Sequence, residues 1–117
     1  MTPRCEIIGN AELWLADCRE IVPFVGNCDA AITDPPYNVG KNYGTHCDSM
    51  PPAEYIRWLT SIWMMLQVDT LVYTPGDRHV WDARRICEAA DFRVGRMLGW
   101  HKKEFAGDKW NAGPAIC

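Results

Sequence analysis

The 117-residue chain lacks several features that would settle its class at once. No apolar run approaches the roughly 20 residues needed to cross a bilayer, so no membrane association is expected. The start, Met1-Thr2-Pro3-Arg4-Cys5-Glu6, has no basic stretch leading into an apolar one, so it is not read as a secretory leader. The six cysteines, Cys5, Cys18, Cys28, Cys47, Cys87 and Cys117, form no Cys-x-x-Cys pair. Scattered in this way, they read as reduced cytosolic thiols, most of them buried, rather than as a disulfide framework. His46, Cys47, His79 and His101 match no zinc-ligand spacing, so no metal is expected. There is no internal repeat, low-complexity tract or linker, and residues 1–117 read as one domain or a piece of one. Basic residues are scarce in the first two thirds. Residues 1–77 hold four basic and ten acidic side chains, net −6; residues 78–117 hold eight and five, net +3, for a chain total of −3. A non-specific nucleic-acid binder is usually basic throughout. Here only the C-terminal part offers a basic face, and solvated helix surface accounts for its charges equally well.

Apolar residues make up 48% and charged residues 23%, the proportions of a soluble globular domain, which excludes disorder of the whole chain. Residues 5–8 and 12–16 are short apolar stretches around Gly9-Asn10 and predict a small hairpin or a lead-in and a strand. Residues 18–25 predict a short helix limited by Pro23, and Gly26-Asn27 a turn. Asp29-Ala30-Ala31-Ile32-Thr33 reads as a buried strand stopped by Asp34-Pro35-Pro36. Residues 38–52 show little periodicity and read as a mobile loop. Pro51-Pro52 suits a helix start, and Tyr55, Ile56, Leu59, Ile62, Trp63 and Leu66 then recur at helical spacing over 53–66. On that stripe, Trp58 and Trp63 read as core. Leu71-Val72-Tyr73 predicts a strand, and residues 78–90 a helix with Asp77 as N-cap and Val80, Ala83, Cys87 and Ala90 facing inward. Residues 92–101 read as a bulged or edge strand, and the remainder as irregular. Alternating strands and helices give an α/β layered sheet with mainly parallel strands.

The chemistry concentrates in Asp34-Pro35-Pro36-Tyr37, at the end of a strand. Ligands of open α/β sheets bind beyond the carboxyl ends of the strands. Two prolines fix φ at consecutive positions and supply no N–H, so the loop is stiff and rich in acceptors. The Asp34 carboxylate and the Pro35 carbonyl are then two acceptors at a set separation, with the Tyr37 ring as a flat face beside them. That combination suits a planar substrate with an exocyclic amino group, such as a nucleobase swung out of its helix. Lys41 and Asn42 in the following loop, Lys102, Lys103 and Trp110 are further candidates for nucleic-acid contact, with solvated surface as the plainer reading.

The tetrapeptide resembles the Asp/Asn/Ser-Pro-Pro-aromatic signature of the DNA amino-methyltransferases. The likeness extends over Leu13-Trp14-Leu15-Ala16-Asp17-Cys18-Arg19-Glu20-Ile21, over Ala30-Ala31-Ile32-Thr33-Asp34-Pro35-Pro36-Tyr37-Asn38, over Tyr55-x-x-Trp58 and over Gly99-Trp100-His101-Lys102. It spans about residues 11–104 and is similar to the N-terminal catalytic half of the β-class order. The resemblance implies a Rossmann-like methyltransferase sheet. It implies S-adenosylmethionine as methyl donor and the amino group of a flipped adenine in DNA as acceptor, in the cytoplasm of a bacterial or phage-infected cell. By the same resemblance Asp34 and the Pro35 carbonyl hold the amino group, Pro36 completes the stiff loop and Tyr37 stacks on the base. The nitrogen lone pair attacks the methyl directly, so no cysteine is needed. Asp17, Cys18 and Asp34 fall on the cofactor side, with Asp17 equally readable as a helix cap.

The chain departs from this family in one respect. It contains no aromatic-x-Gly-x-Gly cofactor loop, and 33 residues before Asp34 leave no room for it upstream. In the β-class order that loop comes later, so the chain is read as a partial domain from a truncated gene, a split gene or an excised piece. Residues 12–17 and 29–33 resemble the third and fourth strands of a sheet ordered 3-2-1-4-5-7-6, and two strands should lie between them. The expectation is that these two strands pair directly, or that a C-terminal half or a second chain fills the gap. An inactive, prophage-borne module that binds DNA or a partner chain is the alternative. Methylation of a protein glutamine or an RNA base fits less well, since such families carry Asn-Pro-Pro-Tyr with the glycine loop upstream.

Overall fold

A computed structural model describes residues 2–100 and 115–116. The chain opens with an antiparallel hairpin, β1 (Arg4–Ile8) and β2 (Ala11–Leu15), in which Ile8 faces Ala11 across the turn. Gly9 takes φ +60° there, a conformation that costs glycine nothing. Helix α1 (Cys18–Val25) follows, with Pro23 inside its short span. Strand β3 (Cys28–Thr33), helix α2 (Pro52–Met65) and strand β4 (Val68–Tyr73) then form a β-α-β unit. Its strands pair in parallel, from Cys28 opposite Val68 to Thr33 opposite Tyr73. A parallel pair needs such a crossover, because its strands run the same way. One 3₁₀ turn (Asp77–His79) leads to α3 (Ala83–Ala89), and a two-residue β5 (Gly99–Trp100) pairs antiparallel with β6 (Ala115–Ile116).

The core lies between α2, α3 and one face of the β3–β4 pair. Tyr55, Leu59, Ile62 and Trp63 of α2 meet Ile86 and Ala90, and Leu71, Tyr73, Met50 and Phe92 close the cluster. The opposite face of the strand pair is uncovered: Ile32 is 83% and Val72 45% exposed. Every residue of the hairpin is exposed as well.

Several expectations are corrected here. The described strands form three two-stranded sheets, of which β3–β4 is the parallel one, so the α/β class stands, while one continuous parallel sheet, as a Rossmann-like fold would have, is not seen among the described residues. Strand β2, over residues 12–15, pairs with β1 rather than with β3, because the two-residue turn at Gly9-Asn10 makes the local pairing entropically cheap. Strand β3 is covered on one face only. Four of the cysteines, Cys5, Cys18, Cys28 and Cys47, are exposed and Cys87 is half-buried, all as free thiols; Cys5 lies in the exposed hairpin and Cys28 at the exposed start of β3. The helix expected over 78–90 starts only at Ala83, and Asp77 does not cap it. The preceding residues instead make i→i+3 bonds, Asp82 N–H to His79 and Ala83 N–H to Val80, which accompany burial of the His79 ring against Tyr55. Ile86 is fully buried and was absent from the inward-facing set. The strand expected over 92–101 is irregular through Leu98, since after Phe92 the segment Arg93–Gly99 is exposed and has two glycines to weaken it. The expectations for His101, Lys102, Lys103, Trp110 and the irregular remainder lie outside the described residues.

Candidate functional site

The parallel register sets up the site. Thr33 and Tyr73 are the last paired residues, so the next residue of each strand, Asp34 and Thr74, leaves the sheet side by side. A backbone bond from Thr74 N–H to the Thr33 carbonyl, 3.4 Å, ties the two ends together. The Thr74 hydroxyl donates to the Asp34 carboxylate, and the Tyr37 hydroxyl donates to the same oxygen, Oδ1. Tyr37 Oη also lies 2.9 Å from Thr74 Oγ1. The structure therefore brings Asp34 and Tyr37 together, and adds a third group that the motif did not name.

Neighbouring elements fix this cluster. Gly76 takes φ +69°, and a Cβ there would sit 2.7 Å from Cγ of Tyr37. The glycine backbone thus forms a wall for the Tyr37 ring. Tyr55, fully buried in α2, donates from its hydroxyl to the Pro36 carbonyl at 2.8 Å. Burial pushes that phenol up to about 12, with nearby Asp48 adding to the shift, so it stays a donor across the physiological range. The Pro36 carbonyl is occupied in this way. Among the described residues, no hydrogen bond to the Pro35 carbonyl is found.

The segment after the motif is organised by two side chains. Asn38, at φ +58°, exchanges two hydrogen bonds with Met50: Nδ2 donates to the Met50 carbonyl at 2.8 Å, and Met50 N–H donates to Oδ1 at 2.7 Å. The buried Asp48 carboxylate accepts backbone N–H groups from Asn38, Val39 and Lys41 at 2.9, 3.1 and 2.8 Å. Burial alone would raise the Asp48 carboxyl, but the amide bonds from Lys41, Val39 and Asn38 outweigh it and hold it below the usual carboxylate range. The loop expected to be mobile is thus closed on itself by named bonds. Beside it lies a cleft of about 660 Å³ lined in part by Asn38, Val39, Met50, Arg78, His79 and Asp82.

Asp17 acts as the N-cap of α1. Its Oδ1 accepts from Arg19 N–H and Arg19 Nε–H, both at 2.9 Å, and its Oδ2 from the Arg19 guanidinium at 2.5 Å. Arg19 thereby holds the Asp17 carboxyl down to about 2. Both oxygens accept from Arg19, so a ligand at Asp17 would have to share or displace those bonds. Local desolvation, and then the Asp17 carboxylate, push the Cys18 thiol upward, which disfavours a reactive thiolate there. Lys41 Nζ lies 5.2 Å from the centre of the Tyr43 ring. Among the described residues no three His, Cys, Asp or Glu side chains converge as metal ligands, and no helix is long and apolar enough to cross a membrane.

Part of the chain resembles a methyltransferase. Over 36 residues it is 47% identical to the Type II methyltransferase M.MjaVI of Methanocaldococcus jannaschii. The match covers 31% of this chain and 18% of that protein, so the chain spans under a fifth of the curated relative it matches. No protein-family model and no solved structure matches the chain. Sequence reasoning found Asp34 and Tyr37 but missed Thr74, Gly76, Asp48 and Tyr55 as their supports. For the first two a signal was present: Thr74-Pro75-Gly76 ends the strand Leu71-Val72-Tyr73, and ligand sites of α/β sheets gather where neighbouring strands end.

Proposed function

We infer that this chain carries the base-binding part of a DNA methyltransferase of the β-class order, which transfers a methyl group to the exocyclic amino group of adenine. The observation that carries the reading is the placement of the Asp34 carboxylate and the Tyr37 ring at the carboxyl ends of two parallel strands, held by Thr74 and Gly76. A flipped adenine stacks on Tyr37 and donates its amino protons to Asp34 and to the Pro35 carbonyl, with Pro36 held back by Tyr55. Asp rather than Ser at the head of the motif favours adenine over cytosine within the family it resembles.

The methyl donor in this reading is S-adenosylmethionine. Asp17 and Cys18 are its candidate contacts here, and Asp17 has to exchange Arg19 for the ligand. The glycine loop that grips the donor has no counterpart in these 117 residues, and a C-terminal half or a second chain supplies it. The uncovered face of β3 and β4, with Ile32 and Val72, is where such a piece would pack, since parallel sheets are ordinarily covered on both faces.

Nucleoside analysis of DNA from cells producing the intact gene product tests the reading. N6-methyladenine should accumulate, and should vanish with Asp34→Ala while the protein stays folded. Methylcytosine without methyladenine overturns the choice of base; wild-type methylation by a folded Asp34→Ala protein overturns the site. No methylated base at all favours the second reading, an inactive module that binds DNA or a partner chain, for which the occupied Asp17 carboxylate speaks.

A further inference from the structure

Thr74 belongs to no motif, yet its hydroxyl touches both polar groups of the site, Asp34 and Tyr37. The three mutual contacts among Asp34 Oδ1, Tyr37 Oη and Thr74 Oγ1 share two hydroxyl protons, because an ionised carboxylate only accepts. At most two of the three are hydrogen bonds at any moment. The Tyr37 ring is pinned against Gly76, so its hydroxyl keeps its place. The Thr74 proton is the one that can rotate to another partner, and Thr74 is only half-buried, within reach of a ligand on Asp34.

We propose that Thr74 is a specificity-determining residue that donates its proton to the ring nitrogen adjacent to the amino group of the bound base. The proposal rests on the reading of Asp34 and Tyr37 as a base-binding site. On the reactive edge of adenine an amino donor sits next to the acceptor N1. When the amino N–H takes the place of the Thr74 proton on Asp34, that proton turns to N1. Tyr37 meanwhile keeps donating to the carboxylate or to Thr74 Oγ1. Cytosine presents the same donor–acceptor pair. Thymine presents a carbonyl and a protonated ring nitrogen, which would leave Thr74 facing a donor and Asp34 facing an acceptor, and bonds left unmade once a base shields these groups from water are costly. Thr74 therefore selects for an amino group beside an unprotonated ring nitrogen.

The test is an NMR titration of the 117-residue chain with adenosine and with 1-deazaadenosine, which keeps the amino group and replaces N1 by C–H. The wild-type chain should bind adenosine roughly 3–10-fold more tightly than the deaza analogue, the range of one ordinary hydrogen bond. In Thr74→Val that ratio should fall to about one, and Thr74→Ser should restore it, which a merely structural role would not do. A wild-type ratio of one overturns the proposal without any variant. A wild-type ratio retained in Thr74→Val overturns it too, and in both cases the base site at Asp34 and Tyr37 stands. Resonances of Asp34 and Tyr37 that respond to neither nucleoside overturn the proposal and the reading of the site together.

Discussion

Replacing Gly76 by alanine should damage this site more than any change of similar size elsewhere. Two costs combine at that position. The backbone, at φ 69° and ψ 155°, lies in a region open essentially to glycine, and a side chain there costs about 1–3 kcal/mol. The new Cβ would also stand 2.7, 2.9 and 3.0 Å from Cγ, Cδ1 and Cβ of Tyr37. These atoms are at the root of the side chain, so the ring must move bodily, at a further cost of about 1–3 kcal/mol. Gly26 separates the two effects. It occupies the same kind of region, φ 76° and ψ −157°, with nothing within 4 Å of its added Cβ. Gly26→Ala should therefore lose only the backbone part, and Gly76→Ala about 2–6 kcal/mol in all. Against a domain stability of about 5–15 kcal/mol, that is a large share. Urea unfolding resolves it, since at a slope near 2 kcal/mol/M a difference of 2 kcal/mol moves the midpoint by about 1 M. The Tyr37 ring resonances should shift in Gly76→Ala and stay in place in Gly26→Ala. Equal losses in the two variants, with Tyr37 unmoved, would refute the argument.

Tyr55→Phe should cost about 0.5–1.5 kcal/mol, because one buried hydrogen bond to the Pro36 carbonyl is lost, and should broaden the Asp34–Tyr37 amide signals. The Asp48 carboxyl is depressed in the fold, so its stabilisation is complete above the ordinary value of 3.8 and is lost as pH falls through the lowered folded-state value. Amide signals of the 38–50 loop should hold down to about pH 4 and move below it; a loop that loosens on alkalinisation instead would contradict the sign. Asp48→Asn should remove that acid transition and cost about 1–3 kcal/mol, since an amide N–H₂ then confronts backbone donors. Calorimetric titration of the 117-residue chain with S-adenosylmethionine should show nothing tighter than about millimolar, or roughly −4 kcal/mol. Micromolar binding would mean that a cofactor site exists without the glycine loop.

Local physics made much of the chain legible. Gly9-Asn10 between two apolar stretches specified the hairpin, and the stripe from Tyr55 to Trp63 specified α2 together with the face it buries. Asp17 ahead of Cys18 offered a carboxylate to the first free N–H groups of α1, and the cap formed. The consecutive prolines stopped β3 where Asp34 had to leave the sheet. These outcomes depend on residues a few positions apart, so a one-dimensional pattern contains them.

Other features depend on which segments meet. The helix expected from Arg78 onward gave way to a 3₁₀ turn at Asp77–His79, where His79 is buried 4.2 Å from the Tyr55 ring, more than twenty residues away in sequence. The 38–52 segment carries no periodic signal because its order comes from Asp48 reaching back to three amides and from Asn38 gripping Met50. By itself, the sequence determined the composition of the site: a carboxylate, two prolines and an aromatic ring at a strand end. Only the tertiary structure decided its geometry, because the parallel pairing of β3 with β4 brings Thr74 and Gly76, some forty residues further on, against Asp34 and Tyr37. Hydrogen bonds and ring contacts act over a few ångströms of space, and the register of one strand on another sets that spacing.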